Sequence, residues 1–275
     1  MNQRKRVEIA RDTLDILEKG YYLNSDGQKT DIGELQNYAI DNTQYFTPEV
    51  LEKLLKNHIP SNNFTTEYEV NNETTLDAAR RLVAAGEKDV MCLNFASAKN
   101  PGGGFLGGAL AQEECIARAS ALYPCLLQVE DYYNWHRQNR SGLYSDRMIY
   151  SPAVPVIKDE GGGLLNEPVC VTVVTSAAVN AGVVRRDEGQ DAVSIIIPVM
   201  EKRVNKLLAL CALKQHNTLV LGAWGCGVFR NDPEQIAQLF KEALTSQFAG
   251  QFKKVVFGIK TNDENMIDAF RTRFV

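Results

Sequence analysis

Apolar positions follow a helical period in some stretches of the chain and form short, dense runs in others. Val7, Ile9, Ala10, Leu14 and Leu17 recur at helical spacing over residues 3 to 19, and Gly20 ends that run. Tyr21–Asn24 and Gln28–Ile32 flank Ser25-Asp26-Gly27, which reads as a hairpin turn. Thr47-Pro48-Glu49 opens another helix, running to about Asn57, with Thr47 as N-cap and Pro48 at the first helical position. From about Thr65 strands and helices take turns. Thr65–Val70 is a strand candidate, and Thr74 caps a helix through about Ala85, with Gly86 behind it. Asp89–Phe95 reads as a buried strand, followed by a glycine-rich loop and a helix from about Gln112. Val169–Thr175 is an apolar, β-branched strand. Asp191 to about Gln215 is a long helical stretch that Pro198 should kink or divide. Thr218–Gly222 is a short strand, Asp232-Pro233-Glu234 starts a helix to about Thr245, Lys254–Ile259 is a strand, and Asn262 is expected to cap the last helix. Residues 134 to 167 show no clear period, and their Gly161-Gly162-Gly163 sits between strand-like segments.

Strands alternating with helices predict an α/β layered sheet. Residues 1–60 are too few for a good core of their own and read as a mainly helical extension packed on a larger domain, 61–275.

Charge and cysteine content narrow the function. Thirty basic against 34 acidic residues give a net charge of -4, which argues against gripping nucleic acid by bulk charge. A phosphate-bearing ligand stays open, because helix N-termini and glycine-loop amides hold phosphates without net positive charge. The longest apolar runs, such as Val169–Val174 and Val193–Met200, fall far short of the ~20 residues of a membrane helix. Met1–Ile9 carries positive charges with no apolar stretch behind them, so no secretory signal is expected. Cys92, Cys115, Cys125, Cys170, Cys211 and Cys226 contain no CxxC pair, and His58, His136 and His216 lie far apart. The expectation is reduced thiols in a cytoplasmic, monomeric protein with no metal site and no cofactor.

The chemistry concentrates in Leu93–Cys115, LNFASAKNPGGGFLGGALAQEEC. Open α/β sheets bind ligands at the carboxyl ends of their strands, and Gly102, Gly103, Gly104, Gly107 and Gly108 let backbone approach a ligand there. A glycine triplet alone says little, and this chain has a second one at 161–163. Acidic residues in a first helical turn are ordinarily solvated and favoured by the dipole. Gln112-Glu113-Glu114 differs because the helix start directly follows the glycine loop at a strand end.

That order, GGG then about seven residues then QEE, resembles the signature of poly(ADP-ribose) glycohydrolases, enzymes built on the macrodomain fold. NFASAKNPGGG resembles their microbial branch more than the animal one. The resemblance covers about Thr65 to the C-terminus, and the extension more loosely. It implies a three-layer α/β/α fold with a mixed central sheet. A second segment, Thr218–Asn231 (TLVLGAWGCGVFRN), resembles the macrodomain loop that wraps the diphosphate of ADP-ribose. The resemblance then implies substrate contacts from Gly222, Gly225, Cys226, Gly227, Val228 and Phe229 on this loop, and from Asn100, Gly102, Gly103, Gly104 and Gln112 on the other. Phe229 resembles an aromatic that packs on the ribose–adenine side, with a core residue as the alternative, and Cys226 reads as a small filler rather than a nucleophile. Where many macrodomains carry NAAN, this chain reads Asn94-Phe95-Ala96-Ser97, so Asn100 is expected to take over a ribose contact.

The resemblance also implies that Glu114 is the general acid that protonates the leaving ribose oxygen, while Glu113 holds ribose hydroxyls. Neighbours on a helix point about 100° apart, so the two cannot flank one bond as paired carboxylates do. A helix N-terminus lowers a carboxyl pKa, whereas burial and a neighbouring acid raise it. The substrate class that the resemblance implies is poly(ADP-ribose) or ADP-ribosylated macromolecules. Two alternatives stay open: an ADP-ribose-binding module without turnover, and a hydrolase of protein-linked mono-ADP-ribose. Elsewhere, His136 in its aromatic cluster reads as a partly buried helix face, and Val173–Asn180 is expected to border the cleft.

Overall fold

Side-chain caps start six of the twelve α-helices. The computed structural model describes residues 1–275. Helix α1 (Gln3–Lys19) begins where the Asn2 side chain accepts from Lys5 N and ends at Gly20. Strands β1 (Tyr21–Leu23) and β2 (Lys29–Asp31) form a separate antiparallel hairpin. Next come α2 (Gly33–Asp41), β3 (Gln44–Phe46) and α3 (Pro48–Lys56), the last capped by Thr47. After β4 (Glu67–Asn71), Thr74 caps α4 (Thr75–Ala84). Strand β5 (Met91–Phe95) leads through the glycine loop, with a 3₁₀ turn at Phe105–Gly107, into α5 (Gln112–Ala119). The chain continues through α6 (Leu122–Leu127), α7 (Glu130–Gln138), β6 (Met148–Lys158) and β7 (Leu164–Ser176). Then follow α8 (Ala181–Asp187), α9 (Gln190–Ser194), α10 (Ile196–Leu213), β8 (Thr218–Leu221), α11 (Pro233–Thr245), β9 (Lys254–Gly258) and α12 (Glu264–Phe274).

Seven strands form one mixed sheet in the order β3-β6-β7-β5-β8-β9-β4. The pairs from β7 to β4 are parallel, and β6 runs antiparallel to both its neighbours. The inner strands are apolar on both faces. Along β5, Met91 and Leu93 join one core and Cys92 the other; Val255 and Phe257 of β9 oppose Val256 in the same way. Helices α3, α10, α11 and α12 cover the first face, and α2, α4, α5, α6 and α7 the second, which is the three-layer α/β/α arrangement. No helix is long and apolar enough to cross a membrane.

The stretch 191–215 is divided, as Pro198 led one to expect: it breaks at Ile195, and Pro198 falls in the first turn of α10, where its missing N–H leaves no bond unmade. Two other readings change. Asp263, not Asn262, caps α12, accepting from Asn265 N. Residues 134–167, which show no period, hold the end of α7, all of β6 and the start of β7. Strand β6 is almost wholly buried, so no polar alternation marks it, and Pro152 and Pro155 interrupt its pattern. The register shift between Ser151 and Val154 accommodates the first proline. Gly161–Gly163 is therefore the turn of the β6–β7 hairpin, between the two strand-like segments that flank it in sequence. Segment 1–60 also does more than pack on the core: its β3 forms the edge of the central sheet beside β6.

Candidate active site

The site starts from a single amide. Gln112 Oε1 accepts from Phe95 N at 2.8 Å, and its Nε2 donates to Leu93 O at 2.7 Å and Thr75 Oγ1 at 3.0 Å. This bracket pins the first residue of α5 to the end of β5 and the tip of α4. The next two residues are thereby aimed.

Glu113 turns inward and is only 2% exposed. Its carboxylate accepts from Ser97 N at 2.6 Å and Asn94 Nδ2 at 3.4 Å. Burial, opposed by the Ser97 N–H and reinforced by the charge of Glu114, pushes its pKa up to about 8. Glu114 stays partly exposed and accepts from Gly104 N at 2.9 Å. Gly103, at φ +59°, lies against both acids: a Cβ there would fall 2.3 Å from Glu114 Oε1 and 3.2 Å from Glu113 Oε2. The glycine loop is thus a seat for the two carboxyl groups. It is held from behind by Arg118 Nη1 on Ala109 O (2.8 Å) and by α1, through Gln3 Nε2 on Gly107 O (2.9 Å) and Arg6 Nε on Gly108 O (2.6 Å).

The raised Glu113 value has a consequence for stability. A folded-state pKa above the ordinary carboxylate value means the folded state prefers the protonated acid. The stabilisation is complete below about pH 4.5 and is lost as pH rises through about 8. The melting temperature of the wild type is expected to fall between these limits relative to Glu113→Gln, whose amide does not titrate. Parallel melting curves across that range would show that the acid is already ionised in the fold.

The second loop closes the other wall. Gly225, at φ +75°, leaves only 2.5 Å between a would-be Cβ and both Ala178 Cβ and Asn231 Nδ2. Asn231 Nδ2 in turn donates to Val179 O at 2.7 Å, tying this loop to the end of β7. Cys226 is buried, its thiol is pushed far above the ordinary value by desolvation, and its only partner is Trp224 O at 3.8 Å. It fills space. Phe229 packs its ring 5.8 Å from that of Tyr144.

Between the loops lies a cavity of about 560 Å³, within the size range of small-ligand sites. Of the residues singled out from sequence, Gln112, Glu113, Glu114, Gly225, Gly227, Val228 and Phe229 line it. Asn100, Gly102, Gly103, Gly104, Gly222 and Cys226 do not. Asn100 is exposed, and its carbonyl accepts from Gly103 N, so it shapes the loop. Sequence reasoning passed over Thr74, Thr75, Glu160, Ile259, Lys260 and Met266, which complete the wall. Applying the strand-end rule to β9 as well as β5 and β8 would have found Ile259 and Lys260. His136 is fully buried. Its ring bonds Tyr132 O at 2.7 Å and Ser145 Oγ at 2.9 Å, and desolvation lowers its pKa to about 4, so it is a neutral core group. No group of three or more His, Cys, Asp or Glu side chains is placed to hold a metal ion.

The comparisons agree with this geometry. A family model described as "Microbial-type PARG, catalytic domain" matches residues 10–159. The crystal structure of poly(ADP-ribose) glycohydrolase from Thermomonospora curvata is 44% identical, with a TM-score of 0.93 over 98% of this chain and 100% of that one. The same protein bound to the inhibitor ADP-HPD gives 0.90 at the same identity and coverage. The Deinococcus radiodurans poly(ADP-ribose) glycohydrolase in complex with ADP-ribose is 44% identical, with a TM-score of 0.81 over 86% of this chain and 96% of that one. A comparison with curated proteins finds none that matches. With over half its length matched by the family model, and its fold shared with these structures at that identity, the chain belongs to the microbial-type poly(ADP-ribose) glycohydrolase family.

Proposed function

We propose that the protein hydrolyses ribose–ribose O-glycosidic bonds of poly(ADP-ribose) and releases ADP-ribose, with Glu114 as general acid and then general base. The carrying observation is the convergence of two carboxyl groups on Gly103 at the wall of a cavity that a diphosphate-type glycine loop closes. Three acids, Glu113, Glu114 and Glu160, line this cavity against one cation, Lys260. A module that only bound a diphosphate would gain nothing from that balance, so the acids argue for a chemical task.

Hydrolysis passes through an oxocarbenium-like sugar. Burial pushes the Glu113 pKa up to about 8, so that carboxyl is protonated at neutral pH and presents Glu114 with a neutral neighbour. Glu114, on the accessible side, delivers a proton to the ribose oxygen that leaves with the rest of the polymer. The resulting carboxylate stands beside the cationic sugar and then takes a proton from the attacking water. Glu113 hydrogen-bonds ribose hydroxyls and limits the charge of the pair. Gly225 to Phe229 hold the diphosphate, and Phe229 packs on the ribose side. All six cysteines are free thiols, which suits a reducing compartment. The reading accordingly places the protein in the cytoplasm, as a monomer that engages neither membrane nor nucleic acid.

Incubation with labelled poly(ADP-ribose) tests the reading: ADP-ribose should accumulate. Binding without release would leave a reader module, and release only from singly modified protein would leave a mono-ADP-ribose hydrolase. Phe229→Ala is expected to weaken ADP-ribose binding by roughly 5- to 100-fold, from a stacking contribution of ~1–3 kcal/mol. Calorimetric titration and thermal melting on that variant check it together. A large loss of melting temperature with unchanged affinity would make Phe229 a core residue instead.

A further inference from the structure

We propose that an arginine- and lysine-bearing ridge beside the Ser97 and Phe229 ends of the cavity is a second anion subsite, binding the diphosphates of the polymer that continues beyond the scissile bond. This rests on the glycohydrolase reading and extends it. The ridge is built on α7 and the loops around it. Arg137 Nη1 donates to Lys99 O at 2.8 Å, and Lys99 lies two residues from Ser97, whose N–H holds Glu113. His136, next to Arg137, packs its ring 5.7 Å from that of Tyr144, and Tyr144 packs 5.8 Å from Phe229. Beyond Phe229, whose carbonyl accepts from Gly182 N, Arg185 Nη1 donates to Arg230 O at 2.8 Å. These contacts tie together the segments that carry Lys99, Arg137, Arg185 and Arg230. Arg140 belongs to the same segment, because Gly142 O accepts from Asn180 N where the chain enters α8.

The division of labour among these cations is informative. Arg137 and Arg185 each use a guanidinium N–H to brace the backbone of another cation, Lys99 and Arg230. The Lys99, Arg140 and Arg230 side chains make no hydrogen bond and no ion pair with the protein. Nearby acids are already engaged: Asp187 pairs with Arg186 at 2.7 Å, and Glu188 accepts from Ser141 Oγ and Gly142 N. In a chain of net charge -4, five such cations beside the Ser97 and Phe229 ends of a cavity lined by three acids make a local field of opposite sign to the whole. The acids sit where a sugar cation forms, and the free cations sit where further diphosphates would emerge. Poly(ADP-ribose) supplies a regularly spaced polyanion of that kind, whereas a single ADP-ribose would be taken up by the cavity alone.

The test uses the triple variant Lys99→Glu, Arg140→Glu, Arg230→Glu, chosen because these side chains make no hydrogen bond or ion pair with the protein. Three quantities are measured on wild type and variant: binding of fluorescent long poly(ADP-ribose), calorimetric binding of ADP-ribose, and steady-state release of ADP-ribose from long polymer. The expected result is about a tenfold or greater loss in polymer affinity and a matching rise in KM. ADP-ribose affinity should stay within about twofold, and kcat at saturating polymer should be unchanged. The wild type's polymer affinity should also fall more steeply with salt than the variant's, since each released counterion adds to that slope. Equal polymer affinity and equal salt slope in the two proteins would overturn the subsite. So would a parallel loss of ADP-ribose affinity, because the charges would then belong to the cavity. If the wild type binds polymer but releases nothing, the glycohydrolase reading fails, and the binding comparison still decides the ridge.

Discussion

Glu114→Gln is expected to lose roughly 10²–10⁴-fold in the rate of ADP-ribose release, the usual cost of a missing general acid. Binding of ADP-ribose should survive. The glutamine keeps the size of the side chain and an oxygen for Gly104 N–H, which Glu114 Oε1 accepts at 2.9 Å, and removing a negative charge beside a diphosphate does not weaken its capture. Single-turnover kinetics with calorimetry on the same preparation separates the two effects. A variant that retained more than about a tenth of the wild-type rate would shift the acid role to Glu113. That residue is the less accessible of the two, but its carboxyl is the one that burial holds protonated.

Gly103→Ala should be nearly as damaging, although Gly103 does not line the cavity. Its φ of +59° is one that an alanine adopts only with strain, and a Cβ there would lie 2.3 Å from Glu114 Oε1 and 2.8 Å from Glu114 Cδ. The acid must move or the loop must open. A displacement of about 1 Å at the reacting groups is enough to cost about 100-fold in rate, so kcat should fall by about that factor. The effect on ADP-ribose affinity should be small, because the second loop, around Gly225, is untouched. Adding a methyl at Gly227 is an internal control: nothing lies within 4 Å of a Cβ there, so Gly227→Ala should leave the fold intact and report only on ligand that approaches the loop. A Gly103→Ala enzyme with unaltered kcat would mean that Glu114 acts from a position other than the one its bond to Gly104 defines.

These effects rest on features of unequal legibility. The layered α/β class was readable because strands β5, β8 and β9 carry dense apolar runs and helices elsewhere in the chain carry helical periods with caps at Thr47, Thr74 and Asp232. Strand β6 and the edge strand β3 were not readable. Burial on both faces removes alternation from the first, and the second is three residues long and is set as a strand by its pairing with β6. At the site, the glycine triplet, the glutamate pair and the second glycine loop could all be located from residue order and a family resemblance. The division of their tasks could not.

The sequence by itself determined which chemistry was available: two adjacent carboxylates at a helix start after a glycine loop, with no metal-ligand spacing beside them. That is covalent information, carried by spacing along a strand–loop–helix unit. Only the tertiary structure decided that Gln112 points its amide at the strand end and that Glu113 is buried while Glu114 is reachable. It also decided that Gly103 and Gly104 seat the acids and lie outside the cavity wall, and that α1 holds the glycine loop from behind. The reason is physical. Burial, desolvation and hydrogen-bond partners depend on atoms brought together from distant parts of the chain, and a carboxyl pKa near 8 arises only where folding has removed its water.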